Sequence, residues 1–175
     1  MWTHLALSAE RVGSPGPNVA GNTLLTYAPF CMTELEQITA EALEETFEFL
    51  DDWEERYRFI IELGRKLNPL DAEYKIEANR IQGCQSNVWV TVDADNSPER
   101  CVVLAADSEA HIVKGLAAMV VALLQGQPAR VVVEADIRGV FDRLQLHQHL
   151  SPTRSNGLHG LVSQIKARAA ELVEE

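Results

Sequence analysis

The chain has few cysteines, no Cys-x-x-Cys pair and no long apolar run. Its 175 residues include three cysteines, Cys31, Cys84 and Cys101. An odd number without a paired motif fits neither a disulfide framework nor a self-contained zinc site. It favours a reducing compartment, which we expect to be the cytoplasm. No apolar stretch reaches the roughly 18 residues of a spanning helix, so we expect a soluble protein without a membrane partner.

The sequence also lacks an excess of positive charge. Fifteen Lys and Arg residues against 26 Asp and Glu residues give a formal net charge of −11. Nucleic acids and anionic lipid surfaces require a basic face, so neither is predicted as a principal partner. The GxxxxGK[ST], GxGxxG and GxSxG motifs are absent, which removes the usual signals of nucleotide binding and of serine hydrolases. A protein partner is the more natural expectation.

Two parts of the chain differ in composition. Residues 1–31 are rich in Gly and Pro and show no sustained helical or strand period. Their only Asp, Glu, Lys or Arg residues are Glu10 and Arg11. We interpret this segment as a disordered extension or as the result of a start placed too far upstream, and favour the second. Residues 32–175 contain enough hydrophobic residues for one core and are predicted to form a single domain.

Helical periodicity begins within this domain. A capping box at Thr33–Glu36 predicts a first helix, and Asp51 or Asp52 caps a second, which should stop before Asn68-Pro69. A third helix is predicted from Asp107 or Ser108 to about Leu124. Its apolar residues cover nearly the whole circumference, so it should be buried. Two further amphipathic helices are predicted, one over Ile137–Leu146 and one after Ser151-Pro152.

Two strands are expected between the second and third helices. Val88, Val90 and Val92 alternate with polar or aromatic residues, and Cys101–Ala106 returns after turn residues. The predicted fold class is therefore α+β, a small antiparallel sheet packed against several helices. Asp107 is interpreted as a cap rather than a general base, and Lys114 as a lysine that reaches solvent at the edge of the buried helix.

The stretch that carries chemistry surrounds Cys84. Gly83 permits turn geometries that present the thiol at a loop tip, and the polar neighbours Gln82, Gln85 and Ser86 are unusual company for a core cysteine. Free cysteines are nonetheless among the most buried residues. The residues alone leave burial and reactivity evenly balanced. His147 and His149 lack a nearby third ligand, so no metal site is predicted.

Three blocks of sequence resemble the signature blocks of the SufE family of sulfur-acceptor proteins. They are residues 81–89 around Cys84, residues 107–116, and residues 149–158, which include Arg154. The blocks occur in the family's order, and the likeness runs from about Met32 to the C-terminus. The related CsdE proteins share the pattern, so the subfamily stays open.

The resemblance implies a SufE fold, similar to that of the IscU scaffold, with a short helix around Val131–Val133 where propensity alone favours a strand. It implies that Cys84 accepts sulfur as a transient persulfide from a SufS-type cysteine desulfurase, which carries the pyridoxal phosphate, and passes it to a SufBCD-type scaffold. This chain would bind no cofactor. Gly83 would be a hinge, and Gln82, Gln85 and Ser86 would offer hydrogen bonds to the sulfur. Arg154 would brace the cysteine loop or contact the partner.

Two alternatives remain open. The chain could activate a desulfurase by docking alone, with Cys84 incidental. It could also be a CsdE-like carrier that serves a CsdA-type desulfurase, which keeps the chemistry and changes the partners.

Overall fold

A computed structural model describes the chain at Leu35 and over residues 38–174. Within these residues, seven α-helices and two strands follow one another. They are α1 (Ala40–Phe49), α2 (Trp53–Lys66), β1 (Val88–Ala94), β2 (Val102–Ser108), α3 (His111–Leu124), α4 (Ala129–Glu134), α5 (Ile137–Arg143), α6 (Leu146–His149) and α7 (Pro152–Glu174). The predicted α+β class is confirmed. The interpretation of residues 1–31 concerns residues outside the described part and stays a prediction.

The first two helices begin at side-chain caps. Thr39 is extended and its hydroxyl accepts a hydrogen bond from the Ala42 N–H, so α1 begins at Ala40. The capping box predicted at Thr33–Glu36 lies outside the described residues except for Leu35 and stays a prediction. Asp52 caps α2 through the Glu55 N–H at 2.8 Å, as predicted. The α2 helix ends at Lys66, just before Asn68-Pro69.

The two strands form an antiparallel hairpin. Its register pairs Val88 with Ser108 at one end and Ala94 with Val102 at the other. Val88 and Val90 of β1 point into the core, as do the buried residues Val102, Leu104 and Ala106 of β2. Helices α3 and α7 pack against this hairpin, α3 on β2 and α7 on β1.

Helix α3 is the buried helix that its composition predicts. Ten of its 14 residues are buried. It packs so closely on α2 that a Cβ atom added at Gly115 would lie 2.1 Å from the Ile60 carbonyl oxygen. Each large side chain buried in this way stabilises the fold by about 1.5–3 kcal/mol, so α3 is the centre of the core.

Three local predictions need correction or refinement. Asp107 and Ser108 belong to β2 and are not the cap of α3, which begins at His111 after Ala110. The segment predicted as one helix over Ile137–Leu146 is divided between α5 and α6, because Gln145 takes a left-handed conformation with φ of 58°. Residues 129–134 form α4, so the helix favoured by the family resemblance is confirmed over the strand favoured by propensity.

No helix in the described part of the chain is long and apolar enough to cross a bilayer.

Candidate functional site

Cys84 lies on a loop of residues 82–87 that is closed at its base. The Ile81 N–H donates to the Val88 carbonyl oxygen at 2.8 Å, and Arg80 forms an isolated antiparallel bridge with Trp89. Ile81 and Val88 are each 1% exposed, which anchors both ends of the loop in the core. No backbone–backbone hydrogen bond is made by residues 82–87 within the described structure. The loop is therefore anchored at its ends, and its backbone between them is not fixed by backbone hydrogen bonds.

Gly83 gives the loop its turn. Its φ is +77°, and a Cβ atom built there would meet nothing within 4 Å. The conformation, rather than crowding, is what favours glycine at this position. Gln82, Gly83 and Gln85 are exposed, whereas Cys84 is half-buried and packs against the hydrophobic core.

The thiol lies against the backbone of α7. A Cβ atom added at Gly157 would lie 2.6 Å from Cys84 Sγ and 3.1 Å from Cys84 Cβ. One turn further, a Cβ atom at Gly160 would lie 2.8 Å from Ile81 Cγ2 and 3.3 Å from the Gln82 carbonyl oxygen. We call the surface formed by Gly157 and Gly160 the α7 seat. It receives the loop because neither residue has a side chain.

The exposed side of the loop is held by Glu77. The Gln82 side-chain amide donates to Glu77 Oε1 at 2.8 Å, and Arg80 Nη1 donates to Glu77 Oε2 at 3.3 Å. These bonds, with Gln82 the larger contributor, hold the pKa of Glu77 below its ordinary value. Gln85 and Ser86 make no side-chain hydrogen bond among the described residues. The predicted hydrogen bonds from Gln82, Gln85 and Ser86 to sulfur are therefore not formed in this conformation and stay a prediction.

The C-terminal end of the loop is tied to β2. Ser108 Oγ donates to the Asn87 carbonyl oxygen at 2.8 Å, and Asn87 Nδ2 donates to Glu109 Oε2 at 2.9 Å. Both contacts hold Asn87 and leave the residues around Cys84 unconstrained.

A buried ion cluster lies one residue further along the hairpin. Asp107 pairs with Trp89 in the strand register, and its carboxylate accepts from Lys75 Nζ at 2.7 Å and from Lys114 Nζ at 2.8 Å. The Asp107 side chain is only 7% exposed. Burial raises the pKa of Asp107, but the hydrogen bonds from Lys114 and Lys75 outweigh it and hold that pKa below its ordinary value. Lys75 also lies 5.7 Å from the centre of the Trp89 ring.

This cluster corrects two interpretations. Asp107 is neither a helix cap nor a free base, because both its oxygens are occupied by lysines. Lys114 keeps part of its side chain exposed, but its Nζ binds the buried Asp107 carboxylate. No local pattern indicated the pairing, since Lys75 lies in a polar segment far along the chain from the other two residues.

A family model for the SufE Fe-S metabolism associated domain matches residues 41–169. This chain belongs to the SufE family. An uncharacterized SufE-like protein of Rhizobium etli is 40% identical over 139 residues, which cover 79% of this chain and 90% of that protein. An uncharacterized SufE-like protein of Rhizobium meliloti is 38% identical over 139 residues, covering 79% and 96% of the two chains.

A solved structure agrees with the fold. The solution structure of a hypothetical protein from Thermus thermophilus superposes with a TM-score of 0.64 and covers 78% of this chain and 96% of its own. Its sequence identity of 22% supports the fold alone. Membership of the SufE family gives the chain a sulfur-transfer role in iron–sulfur metabolism and implies interaction with a cysteine desulfurase.

Arg154 of this SufE domain lies in the first turn of α7, three residues before Gly157. Its backbone N–H donates to Ser151 Oγ at 3.4 Å, while its side chain is exposed and makes no ion pair with a described residue. Residues three apart on a helix share a face, so Arg154 lies on the side of α7 that faces the cysteine loop. Both predicted roles of Arg154, bracing the cysteine loop and contacting the partner, stay predictions.

The histidines make structural contacts. The His149 ring stacks on Trp53 with centroids 3.6 Å apart, and His147 Nδ1 lies 3.4 Å from Asp142 Oδ1. Among the described residues, no three His, Cys, Asp or Glu side chains come together in a way that could hold a metal ion.

Sequence reasoning missed the α7 seat. The buried face of α7 includes Gly157, Leu161, Ile165 and Ala169, a strict four-residue spacing. The helical pattern predicted after Ser151-Pro152 does not reveal this face at Gly157, because glycine is not an apolar side chain. A glycine that continues a buried stripe is the signal that another chain segment approaches the helix closely.

Proposed function

We propose that the chain is a covalent sulfur carrier that accepts sulfur on Cys84 from a SufS-type cysteine desulfurase. The Cys84 thiolate attacks the outer sulfur of the desulfurase persulfide. A new sulfur–sulfur bond forms on Cys84, the old bond breaks, and the desulfurase cysteine leaves as a thiolate. Sulfane sulfur moves without net oxidation or reduction, so neither an oxidant nor a reductant is required.

The observation that carries this proposal is the placement of Cys84 on its loop. The thiol stands next to a left-handed glycine, on a segment without backbone hydrogen bonds of its own, between two anchored ends. A carrier thiol must meet two partners in turn, and thiolate attack on a sulfur–sulfur bond needs access to the sulfur. Such a loop can bring the thiol outward without disturbing the core.

Resting against α7 also protects the thiol between transfers. Exposed thiolates are oxidised through sulfenic to irreversible sulfinic and sulfonic acids. Half-burial of Cys84 restricts that damage, and movement of the loop restores access. Gly83 is the hinge of this movement in our proposal.

The desulfurase is stimulated because its own thiol is cleared for the next cycle. The Cys84 persulfide then passes its outer sulfur to an acceptor thiolate on an assembly scaffold of the SufBCD type, which regenerates the Cys84 thiolate. Pyridoxal phosphate supplies the carbon–sulfur cleavage on the desulfurase. We place this exchange in the cytoplasm, where thiols are kept reduced.

The test is intact-mass measurement after mixing the protein with a SufS-type desulfurase, pyridoxal phosphate and cysteine. Cys84→Ser is the test variant, and Cys101→Ser is its control, since Cys101 is also a free, half-buried cysteine. We expect one added sulfur atom, removable by a thiol reductant, in wild type and Cys101→Ser and not in Cys84→Ser.

An added sulfur that persists in Cys84→Ser would overturn the assignment to Cys84. Full stimulation of the desulfurase by Cys84→Ser, without added reductant, would instead favour a docking activator. Repeating the measurement with a CsdA-type desulfurase separates the SufE from the CsdE assignment of partners.

A further inference from the structure

The α7 seat brings a helix backbone against the thiol of a loop. The closest approach is at Gly157, where an added Cβ atom would lie 2.6 Å from Cys84 Sγ. Nonbonded heavy atoms settle at about 3.5–4.0 Å, so a methyl group at Gly157 would intrude by about 1 Å or more. The thiol and a side chain at residue 157 cannot both occupy this space.

The loop, rather than the helix, would give way. Gly157 is buried in the first half of α7, on the face that continues through Leu161 and Ile165 into the core. The loop makes no backbone–backbone hydrogen bonds between residues 82 and 87 in the described structure. Displacing Cys84 therefore costs fewer contacts than displacing α7.

We propose that Gly157 is a positioning residue for Cys84. Its missing side chain sets the depth at which the thiol rests against α7, and so determines how readily an outside sulfur atom or reagent reaches it. An alanine at this position would shift the loop population from the seated to the outward conformation. The bearing of this inference on sulfur transfer rests on the proposed function, whereas the seat itself does not.

Gly160 provides a matched control on the same helix. It is half-buried and also contacts the loop. Its added Cβ would meet Ile81 Cγ2 at 2.8 Å and the Gln82 carbonyl oxygen at 3.3 Å, both at the base of the loop, and no atom of Cys84 within 4 Å. Neither Gly157 nor Gly160 has a positive φ, so alanine suits the backbone at both positions. Both substitutions improve helix propensity equally, and only one of them intrudes on the thiol.

The first test measures alkylation of Cys84 by iodoacetamide, read by peptide mass spectrometry, in wild type, Gly157→Ala and Gly160→Ala. Cys101 in the same molecule serves as the reference thiol. We expect the ratio of the Cys84 rate to the Cys101 rate to rise about fivefold or more in Gly157→Ala, as a modest shift in population would produce. In Gly160→Ala the ratio should stay within about twofold of wild type. An unchanged ratio in a folded Gly157→Ala protein would overturn the proposal.

The second test asks whether residue 157 and the sulfur interact directly. The shift in the urea midpoint caused by Gly157→Ala is measured in wild type and in a Cys84→Ala background, which lacks the sulfur. Alanine favours the helix in both backgrounds but meets the sulfur in only one. We therefore expect a more favourable shift in the Cys84→Ala background. Equal shifts in the two backgrounds would mean that the sites are independent and would refute the seat.

The comparison of the two backgrounds also gives a result if Gly157→Ala alone does not fold. A Gly157→Ala protein that unfolds and is rescued by Cys84→Ala would support the seat, and failure of both proteins to fold would count against it. Neither measurement uses a desulfurase. If wild type gains no sulfur in the intact-mass experiment, the proposed function is refuted and the α7 seat is unaffected. If the alkylation or urea measurements fail, the seat is refuted and the proposed function is unaffected.

Discussion

Cys84 and Cys101 lie at opposite ends of the same hairpin, and both are free and half-buried. The backbone around them differs. The Cys101 N–H donates to Asp95 Oδ1 at 2.9 Å, the Cys101 carbonyl oxygen accepts from the Asp95 N–H at 2.9 Å, and the residue bridges to Pro128. Cys84 makes no backbone–backbone hydrogen bond in the described structure.

The comparison shows that burial alone does not distinguish Cys84, the proposed carrier thiol, from Cys101. What separates the two cysteines is whether their backbone groups are fixed by partners. Cys101 cannot move without breaking at least two hydrogen bonds, each of which stabilises the fold by about 0.5–1.5 kcal/mol. Cys84 needs to lose only its packing against α7.

The largest expected effect concerns the carboxylates that hold the two ends of the hairpin. Asp107 holds the end near Cys84, and Asp95 holds the end near Cys101. Asp107→Asn should lower the free energy of unfolding by about 3 kcal/mol, because an amide can accept from one lysine while its NH₂ group faces the other. Asp95→Asn should cost less than about 1 kcal/mol, since its exposed oxygen can still accept from Ser97 and Cys101. Urea unfolding at neutral pH measures both values.

Acid should reduce the difference in unfolding free energy between wild type and Asp107→Asn. Asp107 has a folded-state pKa below its ordinary value of 3.8, so the unfolded chain binds the proton first as the pH falls. The stability that Asp107 contributes is complete above that ordinary value and is lost as the pH falls below it. The gap between wild type and Asp107→Asn should therefore narrow in acid. A constant gap from neutral pH to about pH 3 would show that the ion cluster does not stabilise the fold in this way.

The next effect tests the hinge at Gly83. Gly126 has nearly the same backbone, with φ of 71° against 77°, and equally open surroundings, so it is the control. A side chain in this left-handed region costs about 1–2 kcal/mol, so a valine should destabilise the protein to a similar extent at either position. Only Gly83→Val should slow sulfur uptake, as followed by the rate of mass increase with the desulfurase.

Equal rates of uptake in Gly83→Val and Gly126→Val would remove the hinge from the proposal. Cys84 would then reach its partner by movement about other residues of the loop.

The smallest effect concerns Arg154. Its side chain is exposed and unpaired among the described residues, so Arg154→Ala should change the free energy of unfolding by less than about 0.5 kcal/mol. If it contacts the partner, the concentration of this protein needed for half-maximal desulfurase stimulation should rise several-fold. Arg138→Ala is the control, because that side chain is 77% exposed on α5. A clear loss of stability in Arg154→Ala alone would favour the bracing role instead.

Much of the fold was predictable because its signals are local. The apolar circumference of α3, the alternation in β1 and the Asp52 cap of α2 depend on residues within one or two turns of each other. The boundary of α3 was missed for the opposite reason. Asp107 has the form of a cap, but pairing with Trp89 across the hairpin and binding two lysines fix it in a strand.

The candidate site was only half predictable. The polar loop around Cys84 and Gly83 can be recognised in the sequence, and so can the resemblance to the SufE family. The surface against which the thiol rests was not, because glycine leaves no hydrophobic signal in a helical pattern. Hydrogen bonds to sulfur and the role of Arg154 stay predictions.

The sequence by itself determined the α+β class, the buried helix and a cysteine next to a turn glycine, since each follows from propensity and period over a few residues. The tertiary structure alone decided that Gly157 lies under Cys84 and that Asp107 joins Lys75 to Lys114. These contacts bring together segments far apart in the chain, and they form only when α3, α7 and the hairpin share one core. Their energies depend on distance and burial, which no local pattern encodes.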